Sequence, residues 1–286
     1  MDNIQRKAYQ SIYNTFAKDC CDKYKFGDKY FEDIAEKAFN DFIKDKIPSK
    51  TPIIIRTAGQ SGSGKTTQLM PSISEGLNEC KINYIHLAVR KFAPYHPEYN
   101  KLLNEFGQGL IREKTNGFAL MLLYRVLEKL IEKKYNIFFE VTLLENDFEN
   151  NLLRLLKESN YKINYNIIFC PKEVSNYLIE IRKNSNTSLE KNRVVPKNTS
   201  DYFFEVLERA VNNIYKMDKY FSKGDSIICW DMYDLNPVLC VKDKVSEEFL
   251  DNFYYFRNKA IEKLSDENRL LEAKKAFYKK FIKEII

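Results

Sequence analysis

Histidine and tryptophan are scarce in this chain: 286 residues hold two of the first, His86 and His96, and one of the second. So few imidazoles argue against a histidine-rich metal centre. The six cysteines, at 20, 21, 80, 170, 229 and 240, form no Cys-x-x-Cys pair and no zinc-type spacing. Neighbouring Cys20 and Cys21 do not readily bridge without strain, so the thiols read as free and the compartment as a reducing cytoplasm. Cys170, Cys229 and Cys240 fall in apolar, strand-like runs, where a buried thiol acts as a small hydrophobe. Nine glycines and eight prolines exclude collagen-like or linker-like chain. No apolar run approaches the ~18 residues of a membrane helix. The start, Met1 to Lys7, lacks the apolar stretch of a signal peptide, so no membrane partner is expected. A net charge of +6 with 44% hydrophobic residues is far from the signature of disorder. That charge is spread along the chain without a basic patch or reading motif, so no nucleic-acid partner is expected.

What is present is a change of rhythm. Residues 1–46 read as helical, with Phe31, Ile34, Ala35, Ala38, Phe39, Phe42 and Ile43 spaced to form one apolar stripe. Pro48 and Pro52 punctuate the exit. Short apolar runs then alternate with helical stretches. Strands are expected at 53–55, around 84–89, at 137–141, 166–170 and 226–230, with a short edge strand at 238–241. Helices are expected from near Lys65, at about 117–133, around Leu152 to Leu156, at about 172–183 and at about 197–217. The last 40 residues read as helical again, and the aromatics at 249, 253, 254 and 256 as packing residues. Strands alternating with helices imply an α/β fold, a doubly wound parallel sheet flanked by helices. Three parts follow: a helical extension over 1–48, an α/β core over 49–243, and a second helical extension over 244–286.

Three of the nine glycines fall in Gly59-Gln60-Ser61-Gly62-Ser63-Gly64-Lys65-Thr66, a complete G-x-x-x-x-G-K-[ST] match. Glycines let backbone N–H groups curl around a phosphate, and the helix that follows adds its positive end. Lys65 can reach the β- and γ-phosphates, and the Thr66 hydroxyl can ligate Mg²⁺. Residues 59–67, through Thr67, are therefore the expected nucleotide site, with ATP and Mg²⁺ as cofactors. The motif alone leaves ATPase, GTPase, nucleotide kinase and small-molecule kinase open. An Asn-Lys-x-Asp base-reading motif is missing, which weakens the GTPase reading. The third strand ends on Glu140 and Thr142 rather than on an aspartate. A polar stretch from Asn184 to Asn192, bracketed by Arg182, Lys183 and Arg193, suits a lid whose arginines spread the charge of a transferring phosphoryl group.

Over residues 46–242 the chain resembles the zeta toxins, kinase toxins of bacterial toxin–antitoxin systems. The resemblance rests on the strand and phosphate loop, on His96-Pro97-Glu98-Tyr99, on Lys134 to Thr142 with its Glu-x-Thr, on Tyr177-Leu178 before Arg182, and on Arg193-Val194-Val195-Pro196. It implies a P-loop kinase core in which Lys65, Arg182, Arg193 and Glu140 are catalytic. Arg90, His96, Glu140 and Thr142 would stand on the acceptor side, with His96 better suited to holding a turn than to acting as a base. It implies phosphorylation of a nucleotide-sugar such as UDP-N-acetylglucosamine, held in check by an antitoxin protein or by the chain's own terminal helices. Arg90 stands where the family keeps an Asp, and Leu144 where it keeps an arginine. An arginine at the base position favours an anionic acceptor. Phosphotransfer to another metabolite, or a catalytically silent nucleotide-binding protein, are the other readings of the same residues.

Overall fold

Short β-rich runs between amphipathic stretches produce strands buried on both faces, with helices supplying the cover. The computed structural model describes residues 28–140, 147–183, 197–233 and 235–263, without the side chains of 108–109, 147–148, 181–183, 197–201 and 203. In chain order these form α1 (Lys29–Ile43), β1 (Ile53–Ala58), a π-helical turn (Lys65–Leu69) continuing as α2 (Met70–Glu79), and β2 (Ile85–Ala88). Next come α3 (Tyr99–Glu132), β3 (Ile137–Glu140), α4 (Asp147–Glu158) and β4 (Lys162–Phe169). The described chain closes with α5 (Lys172–Lys183), α6 (Lys197–Lys216), β5 (Ser226–Asp231), β6 (Pro237–Lys242) and α7 (Glu248–Glu262).

The sheet has six strands in the order β2-β3-β1-β4-β5-β6. Ile85 pairs with Ile137 and Ala88 with Glu140 in the parallel β2–β3 ladder, and Asn164 pairs with Ser226 in the parallel β4–β5 ladder. β6 pairs with β5 antiparallel, with a register shift at Cys229/Trp230. The order turns back at β1, the switch point beside which open α/β sheets place ligands.

The chain divides into two compact units: Met1–Arg56 with Leu77–Val141 and Asn146–Ile163, and Thr57–Gly76 with Thr142–Glu145 and Asn164–Ile286. In the first, α1 buries Phe31, Ala35, Ala38 and Phe39, as its stripe predicts. Phe31 meets Phe118 of α3 edge-on at 5.8 Å. Arg125 Nε donates to Glu32 at 2.8 Å and Lys129 Nζ to Glu36 at 2.7 Å. Arg56 of β1 is wholly buried, yet charged. Its guanidinium forks onto Glu149 of α4 at 2.9 and 2.6 Å and lies 5.3 Å from the centre of the Phe139 ring. Such bidentate pairing is what makes a buried charge tolerable.

In the second unit, Leu69, Ile168, Cys170, Val174, Leu178 and Met232 form one buried cluster. It ties the π-helical turn to β4, α5 and the end of β5. Phe253 of α7 packs edge-on against Phe169 at 5.2 Å, Phe249 is buried beside it, and buried Arg257 pairs with Glu208 of α6.

Several expectations shift. α3 starts at Tyr99 rather than near 117, because residues 99–116 are too polar to show a stripe; Gly107, at φ 69°, interrupts it. β4 starts at Lys162 rather than Asn166: Lys162 to Tyr165 alternate half-buried and buried, a period the apolar run hides. Cys240 is exposed, unlike buried Cys170 and Cys229, because β6 is an edge strand with one open face. Most of residues 1–28 and the chain after 263 lie outside the described residues.

Candidate functional site

The phosphate loop follows β1 directly. Gly59 (φ 148°) and Gly62 (φ 78°) hold backbone that side chains disfavour, and both are crowded. A Cβ on Gly62 would stand 2.3 Å from the Ser175 carbonyl oxygen, and one on Gly59 2.7 Å from Ile168 and from Ser63 Oγ. The loop is also tethered from outside. Gln60 Nε2 donates to the Cys170 carbonyl at 2.6 Å, and Ser175 Oγ donates to the Ser61 carbonyl. The Gln60 side chain thus ties the loop to the residue that follows β4. Burial of Cys170 against this loop pushes its thiol well above the usual range.

Gly64, at φ 85°, opens the turn that follows, and its carbonyl accepts from both Gln68 N (2.8 Å) and Leu69 N (3.2 Å). Lys65 Nζ donates to the carbonyls of Gly59 (2.5 Å) and Gln60 (2.7 Å), folding the ammonium back over the loop. In β1 and the loop, Thr57 Oγ1, Ser63 Oγ and Thr67 Oγ1 are buried without a hydrogen-bond partner among the described residues. Orphaned hydroxyls cost free energy in a dry interior. Together with a glycine cradle and an ammonium they fit a triphosphate. Thr66 supplies the hydroxyl suited to Mg²⁺; among the described residues no group of three His, Cys, Asp or Glu gathers to hold a metal by itself.

The second cluster belongs to β2 and β3. Glu140, last residue of β3, is largely buried, and Arg90 Nη1 stands 2.8 Å from its Oε2. His86, two residues before the end of β2, brings Nε2 to 3.4 Å of the same oxygen, within ion-pair distance but without hydrogen-bond geometry. Burial, more than any neighbouring charge, lowers the pKa of His86 below the ordinary value, so its ring is neutral at pH 7. Parallel register explains the grouping: His86 is opposite Phe138 and Ala88 opposite Glu140, so the carboxylate can lean back along the ladder. Arg90 enters from the 3₁₀ turn that ends β2.

His96 also belongs to the first unit. It is buried, its Nδ1 accepts from the Glu98 N–H at 3.1 Å, and its ring meets Phe118 edge-on at 5.0 Å. The Glu98 contact closes the turn that leads into α3. Arg182 lies in the last turn of α5, its side chain outside the described residues. Thr142, Leu144 and Arg193 lie outside the described residues altogether. The Arg56–Glu149 pair was not visible in the sequence, because 93 residues separate the partners. Nor was the Ser175 tether, at a separation of 114.

A family model for the zeta toxins matches residues 39–233 of the 286. The chain belongs to the zeta toxin family. Among curated members it is 31% identical over 132 residues to Toxin PezT of Streptococcus pneumoniae serotype 4, a stretch covering 46% of this chain and 50% of that toxin. It is 28% identical over 117 residues to Toxin zeta of Streptococcus agalactiae, covering 41% of this chain and 39% of that one. The chain thus spans half or less of the length of these zeta toxins. Among solved structures, one from the PezAT chromosomal toxin–antitoxin system of Streptococcus pneumoniae superposes with a TM-score of 0.60 at 23% identity, over 84% of this chain and 98% of that one. AvrRxo1-ORF1:-ORF2 with ATP superposes with a TM-score of 0.50 at 12% identity, over 91% of this chain and 73% of that one. At such identities these likenesses speak to the fold, a mostly parallel sheet flanked by helices.

Proposed function

We propose that this zeta toxin family member is an ATP-dependent phosphotransferase acting on a hydroxyl of a small acceptor, with a nucleotide-sugar such as UDP-N-acetylglucosamine as the favoured class. The phosphate loop carries the reading: crowded glycines at positive φ, a folded-back Lys65 ammonium, and buried hydroxyls of Ser63 and Thr67 without partners. The structural relative described with ATP supports that nucleotide. Bound there, MgATP would supply the electrophilic phosphorus. Lys65 would neutralise charge on the phosphates and Thr66 would hold the cation. Arg182 and Arg193 would add positive charge as the phosphoryl group moves. In the transfer the acceptor O–H loses its proton, its oxygen bonds phosphorus, and ADP leaves. Glu140 is the carboxylate proposed to take that proton, oriented by Arg90 and His86; Thr142 would join it on the acceptor side.

A second reading rests on one contact. Arg90 occupies the position where an acid is expected and is paired with Glu140, which favours either an anionic acceptor of another kind or a silent nucleotide-binding protein. Incubation with MgATP and a panel of UDP-sugars and nucleosides, read by mass spectrometry with Lys65→Ala as control, decides among them. A phosphorylated UDP-sugar that disappears in the variant supports the proposal. Another phosphorylated product replaces the acceptor, and ATP binding without any product leaves the silent protein. The relatives' toxin–antitoxin setting supports an antitoxin as the partner, in trans or as a terminal helix of this chain.

A further inference from the structure

Beside β2, on the open edge of the sheet, the first unit contains a cavity of about 610 Å³. That size lies within the range of small-molecule sites. Its charge is one-sided. Lys44 and Lys46 enter from the end of α1, Lys81 from the turn after α2, and Lys91 from the turn after β2, against a single carboxylate, Asp41. Asp41 already accepts from the Tyr95 hydroxyl at 2.9 Å. Lys91 Nζ donates to the His86 carbonyl at 3.2 Å, and Lys46 Nζ lies 5.9 Å from the centre of the Tyr84 ring. Lys44 and Lys81 have no ion-pair partner among the described residues. Burial first, then the charges of Arg90 and Lys46, hold the Lys91 pKa below the ordinary lysine value, against the opposing pull of Glu140.

Two further features suit a ligand rather than mere guarding of a strand edge. Tyr84 presents an aromatic face at the wall. Asn83, also at the wall, has a buried Oδ1 with no hydrogen-bond partner among the described residues, an acceptor waiting for a donor. Lysines alone would be the ordinary way to protect an edge strand from pairing. An orphaned acceptor beneath them is not required for that task.

We propose that this cavity is a second anion site, distinct from the phosphate loop, that binds a diphosphate-bearing small molecule through Lys44, Lys46, Lys81 and Lys91. The diphosphate takes the ammonium groups. A base or sugar, where the ligand has one, takes Tyr84 and Asn83. His86 lines the cavity and also stands against Glu140, so an anion held there favours the protonated ring and alters the partner of that carboxylate.

The test uses the full chain carrying Lys65→Ala, which weakens the phosphate loop, titrated calorimetrically with pyrophosphate and separately with UDP. The expected result is saturable binding of each that weakens by about tenfold or more when Lys44→Glu and Lys81→Glu are added, as charge reversal at a phosphate demands. Both lysines are exposed, so the fold should survive; a thermal melt checks it. Tighter binding of UDP than of pyrophosphate assigns the site to a nucleoside diphosphate, and equal binding assigns it to the diphosphate group alone. Absence of saturable binding, or an affinity unmoved by the charge reversals, overturns the proposal and leaves the lysines as edge guards.

Discussion

Backbone builds the phosphate loop, whereas side chains build the cluster around Glu140. In the loop, positive-φ glycines and external tethers from Gln60 and Ser175 set the shape, and Lys65 is the only formal charge from Gly59 to Thr67. In the cluster, a carboxylate, a guanidinium and an imidazole meet because two parallel strands share a register. A backbone site tolerates no change of residue at its tight points, since nothing but glycine fits. A side-chain site can be rewritten one residue at a time.

The largest expected effect separates two carboxylates of the first unit, Glu149 and Glu140. Glu149→Ala leaves Arg56 buried without its counter-charge and should cost about 3–5 kcal/mol in urea unfolding. Glu140→Gln should cost far less, because Arg90 is about one third exposed (34%) and water can serve it. Equal losses would show that the Glu140 cluster is part of the scaffold. Next comes Lys65→Ala, expected to lower phosphoryl transfer by about 10²–10³ while leaving the unfolding midpoint almost unchanged. A large drop in the midpoint would mean that the ammonium holds the loop rather than the phosphates. Gly62→Ala reverses that pattern: the new Cβ meets the Ser175 carbonyl at positive φ, for a loss of about 1–3 kcal/mol together with weakened ATP binding. A fully stable Gly62→Ala chain would refute the crowded loop.

The smallest effect concerns His86. Its pKa in the folded chain lies below the 6.5 of a free imidazole, chiefly through burial. The unfolded chain therefore takes up this proton more readily. The stability linked to His86 is intact above pH 6.5 and is lost as pH falls through the folded value. Proton NMR should place the His86 titration below 6.5, and Arg90→Gln should move it upward by removing a nearby positive charge. A titration unmoved by that change would uncouple the imidazole from the cluster. His86→Gln should flatten the acid limb of the stability profile.

Legibility followed how far the information lies along the chain. The phosphate loop, α5, α6 and the strands at β3 and β5 were readable because their signals are local: eight consecutive residues, or one period of apolar spacing. α3 is legible over only half its length, since Tyr99 to Thr115 shows no stripe and is held by burial of residues such as Ile111 and Thr115. The acid-poor stretch from His86 to Lys91 was visible as a departure, but its consequence was not. Only the β2–β3 ladder shows that Arg90 and His86 converge on Glu140.

By itself, then, the sequence determined an alternating α/β chain and a glycine loop fit for a triphosphate, because helix and strand periods and the steric freedom of glycine are properties of neighbouring residues. Tertiary structure decided the rest. It set which carboxylate is a buried strut and which faces an arginine and a histidine, which cysteines are covered, and where four lysines surround one cavity. Each of those outcomes depends on residues tens of positions apart being brought within a few ångströms, where desolvation and Coulomb forces act, and no local pattern in the chain encodes that distance.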